Sequence, residues 1–177
     1  MSKTTWAIDP AHSEITFKVK HLMISSVTGK FGTFSGTAET DGDDFSTVNA
    51  HFSARIDSIN TNDAQRDGHL MSADFFDGEK FPELTFELKK MTESSVAGNY
   101  DLMGDLSIKG VSKTVTLRAE YGGIGKDPWG NTRAGFSVSG SINREDFGLT
   151  WNAALETGGV LVSQEVKINC EIQLLKK

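Results

Sequence analysis

Apolar and polar side chains alternate along most of this chain with the two-residue period of a half-buried β-strand. Ile15, Phe17 and Val19 share one parity, against Thr16, Lys18 and Lys20. His21 takes the next position of the apolar set, so an imidazole ends a hydrophobic face. After the turn-prone Ser25 to Lys30, residues 31–40 read as a second strand, closed by Asp41-Gly-Asp-Asp44. Val48, Ala50, Phe52, Ala54 and Ile56 align in residues 47–58, and Leu84, Phe86 and Leu88 in residues 83–91. The longest run, 95–109, aligns Val96, Gly98, Tyr100, Leu102, Gly104, Leu106 and Ile108. Gly110 breaks it, and Val115, Leu117, Ala119 and Tyr121 resume it. Residues 132–143 align Ala134, Phe136, Val138, Gly140 and Ile142; residues 160–174 align Val162, Val166, Ile168, Cys170, Ile172 and Leu174.

Two stretches depart from the pattern. Asn62 followed by Gln65 predicts a capping box and a short helix towards Met71, with Arg66, His69 and Leu70 on one face. In residues 143–156, Phe147, Trp151 and Leu155 recur every four positions, and Gly158 is placed to end a second helix.

Eight strands, mostly one hairpin apart, each with one apolar face, predict an all-β fold. The expected architecture is an eight-stranded antiparallel up-and-down barrel with two short helical insertions. No repeat or linker divides the chain, so residues 1–177 form a single domain. Small residues on the apolar faces, such as Ala50, Gly98, Gly104 and Gly140, make a poor lipid-facing belt, and aromatics form no girdles. The apolar face therefore points inward. The same small residues admit two readings: an incompletely filled interior, or glycines that only let the sheet coil. An occupant of such an interior would be long and apolar.

A formal net charge of -6 without a basic cluster argues against nucleic-acid binding, and against attachment to anionic lipid by charge alone. The chain shows no signal peptide and no apolar run long enough to insert stably in a membrane, so the expected setting is cytoplasmic. The lone Cys170 forms no internal disulfide.

Catalytic signals are weak. His12, His21, His51 and His69 lack zinc-ligand spacing, so neither a metal nor a cofactor is expected. Gly135-Phe-Ser-Val-Ser139 lacks the final glycine of a nucleophile elbow and lies within a strand. Lys126 to Gly130 reads as a turn around an exposed Trp129, a packed loop anchor rather than a partner or ligand contact, and Arg144 with Asp146 as a structural ion pair. His21, Arg66 and His69 gather near Leu70, Phe75 and Phe76. They suit the polar head of an amphipathic ligand at a barrel mouth. They also suit a satisfied core histidine and an arginine bridging surface carboxylates. The expected apolar lining is Phe17, Val19, Phe52, Phe75, Phe76, Phe86, Leu102, Leu106, Leu117, Phe136, Val138, Trp151 and Ile168. Alternatives are an enzyme acting on a lipid-like molecule through His21 or His69, and a stress or interaction protein with a merely structural barrel.

Five stretches together resemble the YceI-like proteins: Trp6 to His21; Gly29 to Gly36; Arg66 to Asp77 with Phe81 to Phe86; Gly104 to Lys113; and Ile142 to Asn152. They span nearly the whole chain, in order. The resemblance implies an extended lipocalin-like barrel that binds, stores or transports a polyisoprenoid, an isoprenoid quinone precursor or a fatty amide. It implies no cofactor and no catalysis, and a possible homodimer. His12, His21, Arg66, His69 and Arg144 occupy its motif positions. Many such proteins are periplasmic, and here this sequence departs.

Overall fold

The computed structural model describes residues 2–155 and 160–177. Its strands are β1 (Lys3–Ile8), β2 (Glu14–His21), β3 (Ser25–Phe31), β4 (Phe34–Asp41), β5 (Asp44–Arg55) and β6 (Ile59–Asn60). The helix α1 (Ala64–Met71) precedes β7 (Glu83–Glu93), β8 (Asn99–Ile108), β9 (Val111–Lys126), β10 (Thr132–Asn143) and β11 (Val162–Lys176). The order β1-β4-β5-β7-β8-β9-β10-β11 closes on itself through antiparallel β1–β11 pairing. This is the expected eight-stranded up-and-down barrel.

The remaining strands extend that ring. β1 and β2 are successive parts of one line, both paired to β11. A 3₁₀ turn at Pro10–His12 bends the line, which frees a backbone amide and carbonyl of Gln173 on β11. Asp9 and Ser13 satisfy both. The Asp9 amide donates to the Gln173 carbonyl at 2.9 Å, and the Gln173 amide donates to Ser13 Oγ at 3.0 Å. β3 and β4 form the partner line, pairing with β2 and β1 respectively. The segment read as a loop at Ser25 to Lys30 is thus most of a strand. The reversal is tighter than expected and lies at Leu22-Met23, both at positive φ.

Two apolar clusters lie along the barrel. Trp6, Phe45, Tyr121 and Phe136 pack at one end, with Phe45–Phe136 ring centroids 5.1 Å apart. Ile15, Phe31, Phe75, Leu106 and Phe147 belong to the other. Below the first cluster, Arg133 donates to Asp127 at 2.9 Å and to Gln173 Oε1 at 2.8 Å, and also pairs with Asp9. It ties the β9–β10 hairpin to the β1–β2 bend.

Three glycines, Gly29, Gly104 and Gly140, are roofed by the neighbouring strand, whereas Gly36 borders open space. A Cβ on Gly29 would lie 2.3 Å from the Phe17 ring, and one on Gly140 2.5 Å from Leu117 Cδ2. At Gly104 it would meet the backbone carbonyl of Glu87 at 2.5 Å and the Phe86 ring at 2.6 Å. These positions let a large side chain lie flat across the sheet, as aromatic rescue does. The empty space comes from elsewhere in the wall.

Both helix expectations shift. Asp63, not Asn62, caps α1, accepting from the amides of Gln65 and Arg66. Asn62 sits at φ 66 before the cap. The second helix does not form. Arg144–Phe147 makes one 3₁₀ turn, capped by Asn143 and stopped by Gly148 at φ 79. Residues 149–153 are irregular, so the four-residue recurrence of Phe147 and Trp151 is no helical face. Gly158 lies outside the described residues. Trp129 is not a packed anchor: it is 80% exposed.

Two predictions follow from this frame. Gly104→Ala drives a Cβ into a fixed carbonyl and lowers stability by about 1–3 kcal/mol. Gly68→Ala, in α1 with open space around it, raises stability by about 0.5–1 kcal/mol. Urea midpoints read both. A third prediction concerns acid. Hydrogen bonds from Arg133 pull the Asp9 and Asp127 carboxyls from the ordinary 3.8 down to about 2. A depressed folded value stabilises above the unfolded value and is lost as pH falls through the folded one. Arg133→Met is therefore expected to be less stable than the native chain above pH 4, with the gap closing towards pH 2. A gap independent of pH over that range would contradict it.

Candidate functional site

Between the two clusters the barrel encloses a cavity of about 310 Å³. Its wall exposes no polar surface. That follows from strand geometry, because every second residue points inward and those positions are apolar. Phe17, Val19, Phe52, Phe86, Val138 and Ile168 face inward yet are only partly buried, and all six border the void. An apolar cavity of about 150 Å³ holds a benzene ring and stays dry. On that scale this void takes on the order of a dozen carbons.

Phe75, Phe76, Leu102, Leu106, Leu117 and Phe136 also border it, so every residue of the expected lining does except Trp151. With no helix behind it, Trp151 packs beside the cavity, its ring 4.7 Å from His69 and 5.5 Å from Phe75. The wall also holds Phe45, Phe147, Leu149 and Val162. Phe45 was hidden next to the Asp41-Gly-Asp-Asp44 turn, where a register shift between β4 and β5 breaks the simple parity. Phe147 and Leu149 lay inside the segment read as helix.

The three expected head-group residues stand outside the lining. His21 ends β2 opposite Val162, and Val162 borders the void. The chain turns at Leu22, whose amide donates to Leu161, so the imidazole stands at the strand end, past Val19, the last residue of β2 that borders the void. Arg66 folds back on its own helix entrance: Nε donates to Thr61 Oγ1 at 2.8 Å and Nη2 to the Thr61 carbonyl at 2.6 Å. His69 Nε2 lies 2.9 Å from an Asp74 carboxylate oxygen. One rim nonetheless links two of them. Val162 exchanges hydrogen bonds with the Asn152 side chain, and Trp151, next in sequence, meets His69.

Arg144 organises that rim in a way its ion-pair reading missed. It is 4% exposed, and it donates to backbone rather than to Asp146. Nε reaches the Ser163 carbonyl at 2.8 Å, and Nη1 the carbonyls of Leu149 and Trp151 at 2.6 and 3.0 Å. Nη2 reaches Val162 at 3.3 Å, and the guanidinium lies 5.9 Å from the centre of the Phe75 ring. Asp146 is exposed. The planar fork meets several carbonyls of irregular chain that has no ladder partners, which suits arginine's five donors. Burial lowers its pKa below arginine's ordinary value, with Glu145 opposing. An arginine at a strand end carries no sequence mark that separates this role from a surface pair.

Cys170 borders the cavity, and burial pushes its thiol from the ordinary 9.0 up to about 11. Two units leave about a hundredfold less thiolate at neutral pH. A polar disulfide reagent should therefore react at pH 7.5 about a hundredfold more slowly with the folded chain than with the chain in guanidinium. Comparable rates would show that the thiol is open to solvent.

The comparisons with known proteins agree with this architecture. The YceI-like domain pattern matches residues 6–174. A UPF0312 protein of Staphylococcus aureus is 42% identical over 171 residues, 96% of either chain. The crystal structure of a Campylobacter jejuni YceI protein superposes with TM-score 0.77 at 34% identity, covering 90% of this chain and 91% of that one. A polyisoprenoid-binding domain from Saccharophagus degradans has TM-score 0.70 at 16% identity, with 96% and 97% covered, and so shares the fold. With a pattern match from Trp6 to Leu174 over a barrel of this form, the chain belongs to the YceI-like family.

Proposed function

We propose that this protein binds and carries a long, apolar, amphipathic molecule inside the barrel without transforming it. A polyisoprenoid, an isoprenoid quinone precursor or a fatty amide fits that description. The observation that carries the reading is the closed barrel around a wholly apolar void. Its capacity of roughly a dozen carbons matches two or three isoprene units, with a longer chain extending past the rim. The polyisoprenoid-binding domain of Saccharophagus degradans, which shares the fold, supports the same class. The polar head stays at the rim, within reach of His21 and His69, with Arg66 bracing α1 behind them. A head group held inside would lose its water against a wall without partners.

The arrangement of the histidines favours carriage over catalysis. His12 pairs with Asp9 at the Arg133 end of the barrel, and His69 with Asp74 beside α1. Among the described residues, His12 and His69 stand in different surroundings, each with its own carboxylate.

The test is native mass spectrometry and solvent extraction of the purified protein, with displacement of a fluorescent polyene chain. A bound apolar molecule should be recovered, and native masses also show whether a homodimer forms. Val138→Phe fills part of the void and should weaken chain uptake about tenfold at a stability cost of about 1–3 kcal/mol. Recovery of no ligand, together with uptake unchanged by Val138→Phe, would reject the reading.

A further inference from the structure

The β2–β3 hairpin tip carries apolar side chains where water and backbone geometry both disfavour them. Leu22, Met23 and Ile24 are 40%, 52% and 84% exposed, and Val160 beside them is 37% exposed. The Ile24 amide closes the turn on the His21 carbonyl, and both central residues are left-handed, at φ 57 and 61. Successive left-handed residues are the turn geometry in which Asn and Gly are favoured, here within a three-residue loop between paired His21 and Ser25. Leucine and methionine there are strained as well as exposed. The patch runs into the cavity wall, since His21 pairs with Val162 and Val162 lines the void.

Charge supplies the second observation. Residues 15–38 contain no Asp or Glu, although the whole chain has net charge -6. The same run holds Lys18, Lys20 and Lys30. Lys18 and Lys20 lie on the outer parity of β2, and Lys18 stands directly opposite Lys167 of β11, a like-charge pair that costs stability. Among the described residues none of these four lysines is in an ion pair. Acidic groups near this end include Glu165, opposite Asn143, with Glu145 and Asp146 beyond it, and Asp74, which is paired with His69 on the same rim. The acidic balance of the chain therefore hides one basic hairpin with an apolar, strained tip.

We infer that this tip docks on an anionic lipid surface, inserting Leu22, Met23 and Ile24 among the head groups while Lys18 and Lys20 face lipid phosphate. Apolar insertion and basic flanks are the two components of peripheral membrane binding. Docking there would put the end of the cavity wall at the bilayer, where an apolar chain can pass without crossing water. The inference rests on the proposed cavity function for its purpose, but its test is separate.

The test is flotation of the full chain with phosphatidylcholine vesicles, with and without about a third phosphatidylglycerol. The substitution L22N/M23G installs the favoured turn pair, so its melting temperature should equal or exceed that of the native chain. Its vesicle affinity should nevertheless fall about tenfold. Lys18→Gln with Lys20→Gln should lower affinity for the anionic vesicles about fivefold per lysine and leave the neutral ones unaffected. Absence of vesicle binding by the native chain, or equal binding by L22N/M23G, overturns the inference. A dimer in sedimentation that L22N/M23G dissolves would identify a second copy as the occupant and also overturn it. Chain uptake from solution distinguishes the two readings. Normal uptake without vesicle binding removes docking alone; vesicle binding without uptake removes the cavity function alone.

Discussion

The structure depends on β11 bonding along both edges. Its fifteen residues pair with β10 over Arg133 to Asn143 on one side and with β1 and β2 on the other. That double pairing removes the two edges that an open sheet of this size would expose. It requires the β1–β2 line to bend with the barrel, and Asp9 and Ser13 fill the hydrogen bonds which the bend breaks. Arg133 then holds the bend against the β9–β10 hairpin. Closure also sets the width. Eight strands leave an interior that side chains nearly fill, so whether space remains depends on individual residues.

Those residues divide the interior unevenly. Glycines that look like gaps are covered by Phe17, Phe86 and Leu117 from the next strand. Clusters around Trp6 and Phe147 fill the two ends. The void that remains is apolar because each charged group near it is turned away or satisfied by backbone. Arg144 illustrates the second route. It borders the cavity, with its donors spent on carbonyls of Leu149, Trp151, Val162 and Ser163. It thereby holds irregular chain against the barrel without presenting charge to an occupant.

Much of the site was legible from parity. Phe52, Leu106, Val138 and Ile168 border the cavity because a strand with one apolar face must turn that face inward when the sheet closes. Parity failed where the ladder slips or ends. Phe45 follows a register shift, and His21 keeps the inward parity opposite Val162 but lies at the strand end, outside the lining. Trp151 failed for another reason. A recurrence of four suggests a helix only if the backbone continues as one, and Gly148 ends the turn after Phe147. Side-chain hydrogen bonding was not legible at all. Arg144 beside Glu145 and Asp146 reads as an ion pair until the neighbouring carbonyls are placed.

By itself the sequence determined the class of fold, the inward direction of the apolar faces and most of the lining, because these follow from a local two-residue period. It also contained the acid-free run around Lys18, Lys20 and Lys30, though its position on a hairpin was invisible. The tertiary structure decided what the period cannot express. It set which strand roofs each glycine, how much of the interior stays open, and which groups Arg66, His69 and Arg144 satisfy. It also showed that Leu22 and Met23 form a strained tip beside the cavity wall. Each of these depends on contacts between residues far apart in the chain, and a local pattern carries no record of them.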